Sequence, residues 1–301
     1  TRGSGDRAGN LATAVRALEL VTSEGDLLHL RQGDPDFAGA VVGLGALGVV
    51  TRVTLAVEPS YQMRQQVFQG LPWATAWARF DEVMASADSV SLFTTFGDVV
   101  EQVWLKERVD PAHPRPLREA ILGAPAATAQ VHPVDAALAA NCTPQLGVAG
   151  AWLDRLPHFR LEAMPSRGEE IQAEYLVPRA HAVPALQAVR ALGPRLRPHL
   201  WIAEIRTIAA DDLWLSTACA RDSVGIHFTF RPEPDAVAAL LPALEAALAP
   251  FAPRPHWGKA FAATAADLAP RYPRMAAFRQ LQRRLDPRGA FRTAFLERVI
   301  G

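Results

Sequence analysis

The sequence predicts an α+β fold, in which an antiparallel sheet carries its helices on one face. Two observations predict it. From residue 170 onward, strand and helix patterns follow the order β-α-β-β-α, which is most of a ferredoxin-like unit. Before residue 60, a hairpin followed by one further strand indicates the end of another α+β unit. The composition agrees, because 50% hydrophobic and 21% charged residues are typical of a globular chain.

The first predicted elements form a small N-terminal unit. Residues 17–22 and 27–30 are apolar and favour strands, and the turn residues between them predict a hairpin. Residues 36–44 have the pattern of a short helix. Residues 49–57 are rich in β-branched side chains and stop at Glu58-Pro59, so they predict a third strand.

The middle of the chain is less regular than the part that follows it. The segment 110–165 is rich in Pro, Ala and His, and it predicts an irregular connection around short elements. Beyond this segment the patterns are clearer. The predicted strands are 171–177, 200–208 and 223–230, and the predicted helices are 179–192, 235–248 and 275–285.

The charge balance argues against two classes of partner. Lys plus Arg and Asp plus Glu both number 31, so the formal net charge is +0. No overall field therefore attracts nucleic acid or an anionic membrane surface. No apolar run reaches the roughly 18 residues of a membrane helix. We expect neither a nucleic-acid partner nor a membrane partner.

Cysteine and histidine usage indicates neither disulfides nor a metal. The two cysteines, Cys142 and Cys219, cannot form a disulfide framework or a structural zinc site, so a reducing, cytoplasmic compartment is expected. The histidines lack zinc-like spacing, and no metal is expected. The chain opens without Met and inside a glycine-rich loop, which indicates a part of a longer protein.

The two-residue period of the strands groups five polar side chains. In the predicted strand 223–230, the apolar residues take the face that should meet the helices, and the polar ones take the other face. An amide, a carboxylate, a guanidinium, an imidazole and a hydroxyl together suit a polyhydroxylated ligand, since each ligand hydroxyl both donates and accepts. The alternative is the solvated side of a half-buried sheet. If the three strands pair, the face without helices carries Gln172, Glu204, Arg206, His227 and Thr229.

A second group of candidate residues lies in the loop 254–259. His256 and Lys259 flank the small residue Gly258, which would let a planar ligand approach while a cation lies near developing negative charge. The alternative is a surface loop with an ordinary lysine. The glycines of the opening residues could donate N–H groups to a phosphate, although glycine pairs more often mark turns.

Several motifs together resemble a known family. The opening Thr-Arg-Gly-Ser-Gly, the stretch Leu-Gly-Ala-Leu-Gly-Val-Val-Thr and the tail Asp-Pro-Arg-Gly-Ala-Phe-Arg-Thr-Ala-Phe resemble the vanillyl-alcohol-oxidase type of FAD flavoprotein. They occupy residues 1–5, 44–51 and 286–295. Four further motifs resemble the bacterial alditol oxidases, to which the aldonolactone oxidases are closely related. These are residues 174–179, 204–207, 227–229 and 256–259.

The resemblance implies a division into flavin-binding and substrate-binding parts. Residues 1–62 would be the C-terminal part of the FAD-binding domain, and residues 63–255 the substrate (cap) domain with the ferredoxin-like sheet. Residues 256–301 would return to the flavin domain. The histidine that attaches covalently to the flavin in this family would lie upstream of residue 1.

The resemblance also implies roles for individual residues. The substrate-binding set is Gln172, Glu204, Arg206 and Thr229. The residues near FAD are Thr1, Arg2, Val50, His256 and Lys259. Two positions depart from the family pattern: Arg2 replaces a His, and Thr293 stands where Asn is usual.

The implied activity is that of an FAD-dependent oxidase. The C1 carbinol of an alditol such as xylitol or sorbitol would pass a hydride to flavin N5, and O₂ would accept the electrons, giving an aldose and H₂O₂. Arg206 and Lys259 would stabilise the developing alkoxide, and His227 would accept the proton. Glu204 would orient Arg206 or bind a hydroxyl, and Gln172 and Thr229 would bind the remaining hydroxyls.

Two other functions are compatible with parts of the pattern. The first is oxidation of an aldonolactone with the same cofactor and residues. The second is a non-catalytic sheet that binds RNA by stacking bases on aromatic side chains. Against the second, Phe228 and Phe230 are predicted on the opposite face from His227. We expect a monomer with a small polyol substrate and O₂ as its partners.

Overall fold

Strands and helices are interleaved in the computed structural model, which describes residues 4–110, 112–113, 115–163 and 169–301. Thr1 and Arg2 lie outside the described residues. The strands are β1 (Val15–Val21), β2 (Leu27–Arg31), β3 (Val49–Leu55), β4 (Gln62–Pro72), β5 (Ser89–Thr94), β6 (Val99–Arg108), β7 (Ala120–Ile121), β8 (Ala124–Pro125), β9 (Gly150–Ala151), β10 (Ile171–Pro178), β11 (Leu200–Ile208), β12 (Ser223–Phe230) and β13 (Arg254–Pro255). The helices are α1 (Phe37–Ala40), α2 (Trp73–Ala78), α3 (Phe80–Met84), α4 (Ala182–Ala191), α5 (Gly193–Leu196), α6 (Pro234–Leu248), α7 (Ala265–Leu268), α8 (Met275–Leu285) and α9 (Ala294–Val299). The α+β class is confirmed.

The N-terminal sheet has the order β2-β1-β3 and is antiparallel throughout, as the hairpin pattern predicts. The helix predicted over 36–44 is wrong in length, because α1 is a single turn. It ends at Ala40, and beyond it Leu44 (φ 53°) and Gly45 (φ 76°) have a left-handed backbone, so the last predicted residue is not helical. The last strand also ends two residues earlier than predicted, at Leu55.

The large sheet is wider than the unit that the sequence predicts. Its order is β13-β10-β12-β11-β5-β6-β4-β9. The predicted unit β10-α4-β11-β12-α6 is confirmed, and a second β-α-β-β unit (β4, α2 and α3, β5, β6) lies beside it. The two units join where β11 pairs antiparallel with β5.

The strands of the second unit lack a simple alternation of apolar and polar residues. Gln65 and Gln66 are successive residues of β4, so they point to opposite faces, and both are buried. On β6, Gln102 and Lys106 are buried as well. A strand with buried polar side chains on both faces gives a weak period-two signal, which is why these strands escape prediction.

One face of the large sheet packs on helices. The alternate residues Val224, Ile226, Phe228 and Phe230 of β12 are all fully buried in the main core, as predicted. The same core contains the apolar stripes of α4 and α6, so the helices cover this face.

Helix α6 has an unusually apolar composition for a helix at the surface of a sheet. By length and composition alone, residues Pro234–Phe251 could cross a membrane, with a mean hydropathy of 1.3 over 18 residues and 28% of the window buried. Its buried residues include Val237, Leu241 and Leu244, which recur at helical spacing. Glu245 of α6 accepts a 2.7 Å hydrogen bond from the Tyr175 hydroxyl of β10. These contacts are those of a helix packed on a sheet.

The opposite face of the sheet is divided into two halves. Over β4, β5 and β6, the segment 127–163 packs Cys142 and Phe159 against Phe93, Trp104 and other apolar residues of the sheet. This segment is irregular, as predicted, but it is a cover rather than only a connection. Over β10, β11 and β12, the face carries the candidate residues. The domain bounds 1–62, 63–255 and 256–301 stay a prediction.

Candidate active site

A row of three ionisable residues crosses the middle of the large sheet. Glu174 on β10 pairs with His227 on β12, and His227 pairs with Glu204 on β11. In the next row, Gln172 pairs with Thr229. The face and the strand pairing predicted for Gln172, Glu204, Arg206, His227 and Thr229 are thus present in the structure, and Glu174 joins them.

Lys259 meets this row from a loop. Its Nζ lies 2.6 Å from Glu174 Oε2 and 2.8 Å from His227 Nδ1. The loop is held against the edge of the sheet at both ends: the His256 N–H donates to the Glu174 carbonyl at 2.9 Å, and the Ala260 N–H donates to the Gln172 carbonyl at 2.8 Å. The main chain of β10 therefore holds this loop in place, and the loop brings Lys259 to the Glu174 side chain of the same strand.

The other side of the loop is anchored just as firmly. The buried Arg254 guanidinium donates to the carbonyls of Thr217, Cys219 and Arg271 at 2.7–3.2 Å. The Trp257 indole N–H donates to the Leu215 carbonyl at 2.7 Å. Arginine satisfies several acceptors in one plane, so this contact fixes the direction in which the loop leaves the sheet.

The contacts of His227 define its tautomer when the ring is neutral. An ammonium group has only donors, so Nδ1 of His227 is the acceptor of the Lys259 contact. Nε2 then carries the proton and donates to Thr229 Oγ1, which lies 3.1 Å away. Both ring nitrogens are engaged, and accepting a further proton requires Lys259 to turn its donor away from Nδ1.

Arg206 forms the second cationic contact. Its NH2 lies 2.9 Å from Glu204 Oε2, and the other oxygen, Oε1, lies 2.9 Å from His158 Nε2. The Nε of Arg206 is buried and has no hydrogen-bond partner among the described residues. The side chains of Lys259 and Arg206 are 16% and 19% exposed, whereas those of Glu174 and Glu204 are 0% and 7% exposed. In each ion pair the cation is therefore the more accessible partner, and the carboxylate is buried.

Three residues of this region are absent from the sequence-based site. Glu174 shares the face of Gln172 two residues earlier, so the strand period could have found it. His158 comes from the irregular segment, where no periodic signal exists. Lys106 lies on the same sheet face, fully buried, and burial lowers its pKa to about 7.

Three of the residues predicted near FAD, Val50, His256 and Lys259, lie in the described part of the chain, and their surroundings can be compared with the chemistry of a flavin. Val50 is half exposed and lines an apolar groove of about 280 Å³ between β1, β3 and the glycine-rich loop after α1. His256 and Lys259 are partly exposed, and a Cβ added to Gly258 would meet nothing nearer than the His256 ring at 3.6 Å. An apolar groove and an open cationic loop match the ring and the heteroatom edge of a flavin in chemical type.

The glycine-rich opening reaches the site from the N-terminal side. Thr1 and Arg2 are outside the described range, but the Gly5 N–H donates to the Thr207 carbonyl at 2.9 Å, next to Arg206. Gly5 has φ 128°, and an added Cβ would lie 2.0 Å from the Asp88 carbonyl oxygen. Only glycine fits this close approach.

The departure at Thr293 has a simple structural role. Thr293 is the N-cap of α9, and its hydroxyl accepts a 3.2 Å hydrogen bond from the Leu296 N–H. Thr and Asn are both good N-caps, so this position keeps its cap.

Within the part of the chain that the structure describes, no group of three or more His, Cys, Asp or Glu side chains could hold a metal ion.

Comparison with known proteins finds enzymes that resemble the chain over its whole length. The family model described as D-arabinono-1,4-lactone oxidase matches residues 160–299, a range that contains β10, β11, β12 and the loop of Lys259 but neither Val50 nor His158. An alditol oxidase from Streptomyces sp. (strain IKD472) is 46% identical over 301 residues, covering 100% of this chain and 71% of that protein. An L-gulono-1,4-lactone dehydrogenase from Mycobacterium tuberculosis is 30% identical over 314 residues, covering 100% of this chain and 72% of that protein.

Solved structures resemble the chain in fold. Cholesterol oxidase from B. sterolicum superposes with a TM-score of 0.74 at 15% identity, covering 100% of this chain and 71% of that chain. At this identity the likeness concerns the fold alone, and it agrees with the flavoprotein fold class that the sequence motifs imply.

Proposed function

Because the chain belongs to the alditol oxidase family of FAD-dependent oxidoreductases, which act on CH–OH groups with oxygen as acceptor, we propose that it oxidises the C1 carbinol of an alditol such as xylitol or sorbitol. The observation that carries this proposal is the row of Glu174, His227 and Glu204, with the partly exposed cations of Lys259 and Arg206 beside it. A polyol hydroxyl can donate to carboxylates and imidazole and accept from both cations.

The proposed reaction converts an alditol and O₂ into an aldose and H₂O₂. C1 loses one hydrogen with its electron pair, and the C1 hydroxyl loses a proton. FAD supplies the hydride acceptance and the return of both electrons to O₂ when it is bound. The residues of this chain bind the polyol, orient it and move the proton.

Arg206 and Lys259 are proposed to stabilise negative charge on the C1 oxygen. Each cation has a buried carboxylate partner that fixes its position, and a cation with several N–H donors is proposed to direct one of them at the substrate oxygen. A preorganised donor of this kind typically contributes ~2.7–4 kcal/mol to transition-state stabilisation. His256, on the same loop as Lys259, is proposed to lie near the cofactor.

His227 is proposed to accept the hydroxyl proton. Nδ1, which lies 2.8 Å from Lys259 Nζ, is proposed to become available when Lys259 turns its donor from the imidazole to the substrate oxygen. A histidine suits this role because its unperturbed pKa, ~6.5, lies close to neutral pH. The remaining hydroxyls are proposed to bind Gln172 and Thr229, which are neighbours across the strand pair.

An aldonolactone is the second candidate substrate. The match to the lactone oxidase model and the 30% identity to a lactone dehydrogenase favour it. The same two cations would then polarise the reacting oxygen of a ring compound, so the geometry of the described residues suits both classes.

A substrate panel separates the two classes. The full-length, FAD-loaded enzyme would be mixed without oxygen with xylitol, sorbitol or L-gulono-1,4-lactone, and bleaching of the flavin absorbance would be followed in time. We expect the alditols to reduce the flavin faster at equal concentration. Faster reduction by the lactone would transfer the assignment to the lactone class, and bleaching by neither would overturn the proposed function.

Three finer points remain predictions. They are the covalent flavin attachment upstream of residue 1, the monomeric state and the cytoplasmic location. Thr1 and Arg2 are proposed to contact the cofactor, as the opening motif implies.

A further inference from the structure

We propose that His158 is a positioning residue for Arg206, which it orients by holding the far side of the Glu204 carboxylate. This inference rests on the proposed function, since it concerns how the substrate-facing guanidinium is fixed. His158 comes from the irregular segment that covers the other half of the sheet face, far in sequence from the strand that carries Glu204 and Arg206.

The carboxylate of Glu204 is held at both of its oxygens. His158 Nε2 lies 2.9 Å from Oε1, and Arg206 NH2 lies 2.9 Å from Oε2. A carboxylate held at one oxygen can rotate about its terminal bond, because that torsion is broad and roughly two-fold. With the imidazole on the second oxygen, rotation would break a hydrogen bond, so the oxygen that faces Arg206 stays in place.

The imidazole is itself clamped by aromatic rings. Its centroid lies 5.3 Å from that of Phe93 and 5.1 Å from that of Trp104, with both rings near perpendicular, and Phe159 lies on a third side at 6.3 Å. Ser91 Oγ lies at 3.5 Å from Nε2. Packing on three sides leaves the ring little freedom to swing away from Glu204.

The ring contributes a hydrogen bond without contributing charge. An ionised carboxylate only accepts, so Nε2 of His158 is the donor. Nδ1 is buried and has no partner among the described residues, as suits a nitrogen without a proton. The charged groups facing the ring are Lys106 of β6 and Glu204 and Arg206 of β11.

Burial favours the same neutral state. Burial lowers the pKa of His158 to about 4, and the charges of Lys106 and Arg206 act in the same direction, against the opposing effect of Glu204. At neutral pH the imidazole therefore does not compete with Arg206 as a cation. It fixes the carboxylate and leaves the ion pair unchanged.

Substitution of His158 tests this role in the full-length, FAD-loaded enzyme. His158→Leu removes the donor, His158→Gln keeps an N–H donor, and His132→Leu is the matched control. His132 is also a buried imidazole of the covering segment that packs on Phe159, at a centroid distance of 5.2 Å, but its Nδ1 accepts from the N–H groups of Val134 and Asp135.

We expect His158→Leu to lower the rate of anaerobic flavin reduction at saturating substrate by about 10- to 100-fold, the usual effect of a misplaced catalytic group. His158→Gln should recover most of that loss, and His132→Leu should leave the rate within a few-fold of the wild type. A merely structural role would lower all three variants in parallel with their thermal stability. Equal rates in His158→Leu and His132→Leu, or no recovery with Gln, would overturn the proposal.

A second measurement does not depend on which substrate is correct. Nitrogen-15 NMR of histidine-labelled holoenzyme reports which ring nitrogen carries the proton. The expected result is a His158 ring that carries its proton on Nε2 and stays neutral down to about pH 4. Glu204→Gln should change the Nε2 signal of His158, because it changes the acceptor of that hydrogen bond. A neutral ring with its proton on Nδ1 instead of Nε2 would overturn the positioning role. If xylitol fails as a substrate but the lactone succeeds, the rates are measured with the lactone, so failure of the proposed function is recognised separately.

Discussion

Two lysines that face the same side of the large sheet differ in almost every physical respect. Lys259 reaches the sheet from a loop, is 16% exposed, and contacts Glu174 and His227. Lys106 lies within β6, is 1% exposed, and donates to the Leu156 carbonyl. Within the described ranges, no carboxylate lies at ion-pair distance from Lys106.

The difference shows how one face of a sheet carries out two tasks. Where the segment 127–163 covers the sheet, water is excluded, and burial lowers the pKa of Lys106 to about 7. Over β10, β11 and β12, which we call the open half, each cation has a buried carboxylate partner and is itself partly exposed. The covered half supports the site, and the open half presents two cations to a ligand.

Replacement of the two lysines by methionine should separate these tasks most strongly. We expect Lys259→Met to slow anaerobic flavin reduction by xylitol by about 10²- to 10³-fold, because it removes a donor to the developing negative charge. Lys106→Met should change this rate only a few-fold. Stopped-flow absorbance of the full-length enzyme measures both rates. Equal losses in the two variants would contradict the separate roles assigned to Lys259 and Lys106.

The carboxylate behind Lys259 should matter nearly as much as Lys259. Glu174→Gln keeps the size of the side chain but removes the charge that holds Nζ at 2.6 Å. We expect a loss of roughly 10- to 100-fold in the rate of flavin reduction, since a small displacement of a catalytic cation has an effect of this size. An unchanged rate would show that the loop alone positions Lys259.

The burial of Lys106 should make the free energy of unfolding depend on pH. Lys106 has a pKa of about 7 in the folded chain against 10.5 when unfolded, so between these values the unfolded chain binds more protons and acidification destabilises the fold. From pH 9 to pH 6, the free energy of unfolding of the wild type should fall relative to that of Lys106→Met by roughly 2 to 3 kcal/mol. Urea unfolding at both pH values measures this, and a constant difference would contradict the burial of an amine whose printed partner is a neutral carbonyl.

The smallest expected effect concerns the neutral residues of the open half. Thr229→Val is nearly isosteric and removes the hydroxyl that accepts from His227. A net hydrogen bond of ~0.5–1.5 kcal/mol corresponds to a rise of about 2- to 12-fold in KM for xylitol. A change confined to kcat would instead assign Thr229 to the orientation of His227.

The sequence predicted the part of the site that depends on regular strands. β11 and β12 have the predicted bounds, so the period of two places Glu204, Arg206, His227 and Thr229 on one face. Glu174 was within reach of the same period, but its importance follows from a loop that folds back across β10.

The remaining features depend on tertiary contacts that local patterns do not encode. His158 lies in an irregular segment, where neither helical nor strand spacing indicates which way a side chain points. Lys106 lies in a strand with buried polar residues and gave no signal for a strand. Helix α1 was predicted to reach Leu44 but ends at Ala40, and the left-handed backbone that excludes Leu44 from a helix is not visible in its residue type.

The most direct test of the open half as a polyol site is a crystal structure of the full-length, FAD-loaded enzyme soaked with xylitol in the absence of oxygen. The expected result is a polyol lying along the row of Glu174, His227 and Glu204, with its terminal hydroxyl within hydrogen-bond distance of both Lys259 Nζ and the Arg206 guanidinium. A polyol bound elsewhere, or a terminal hydroxyl that contacts neither cation, would contradict the assignment.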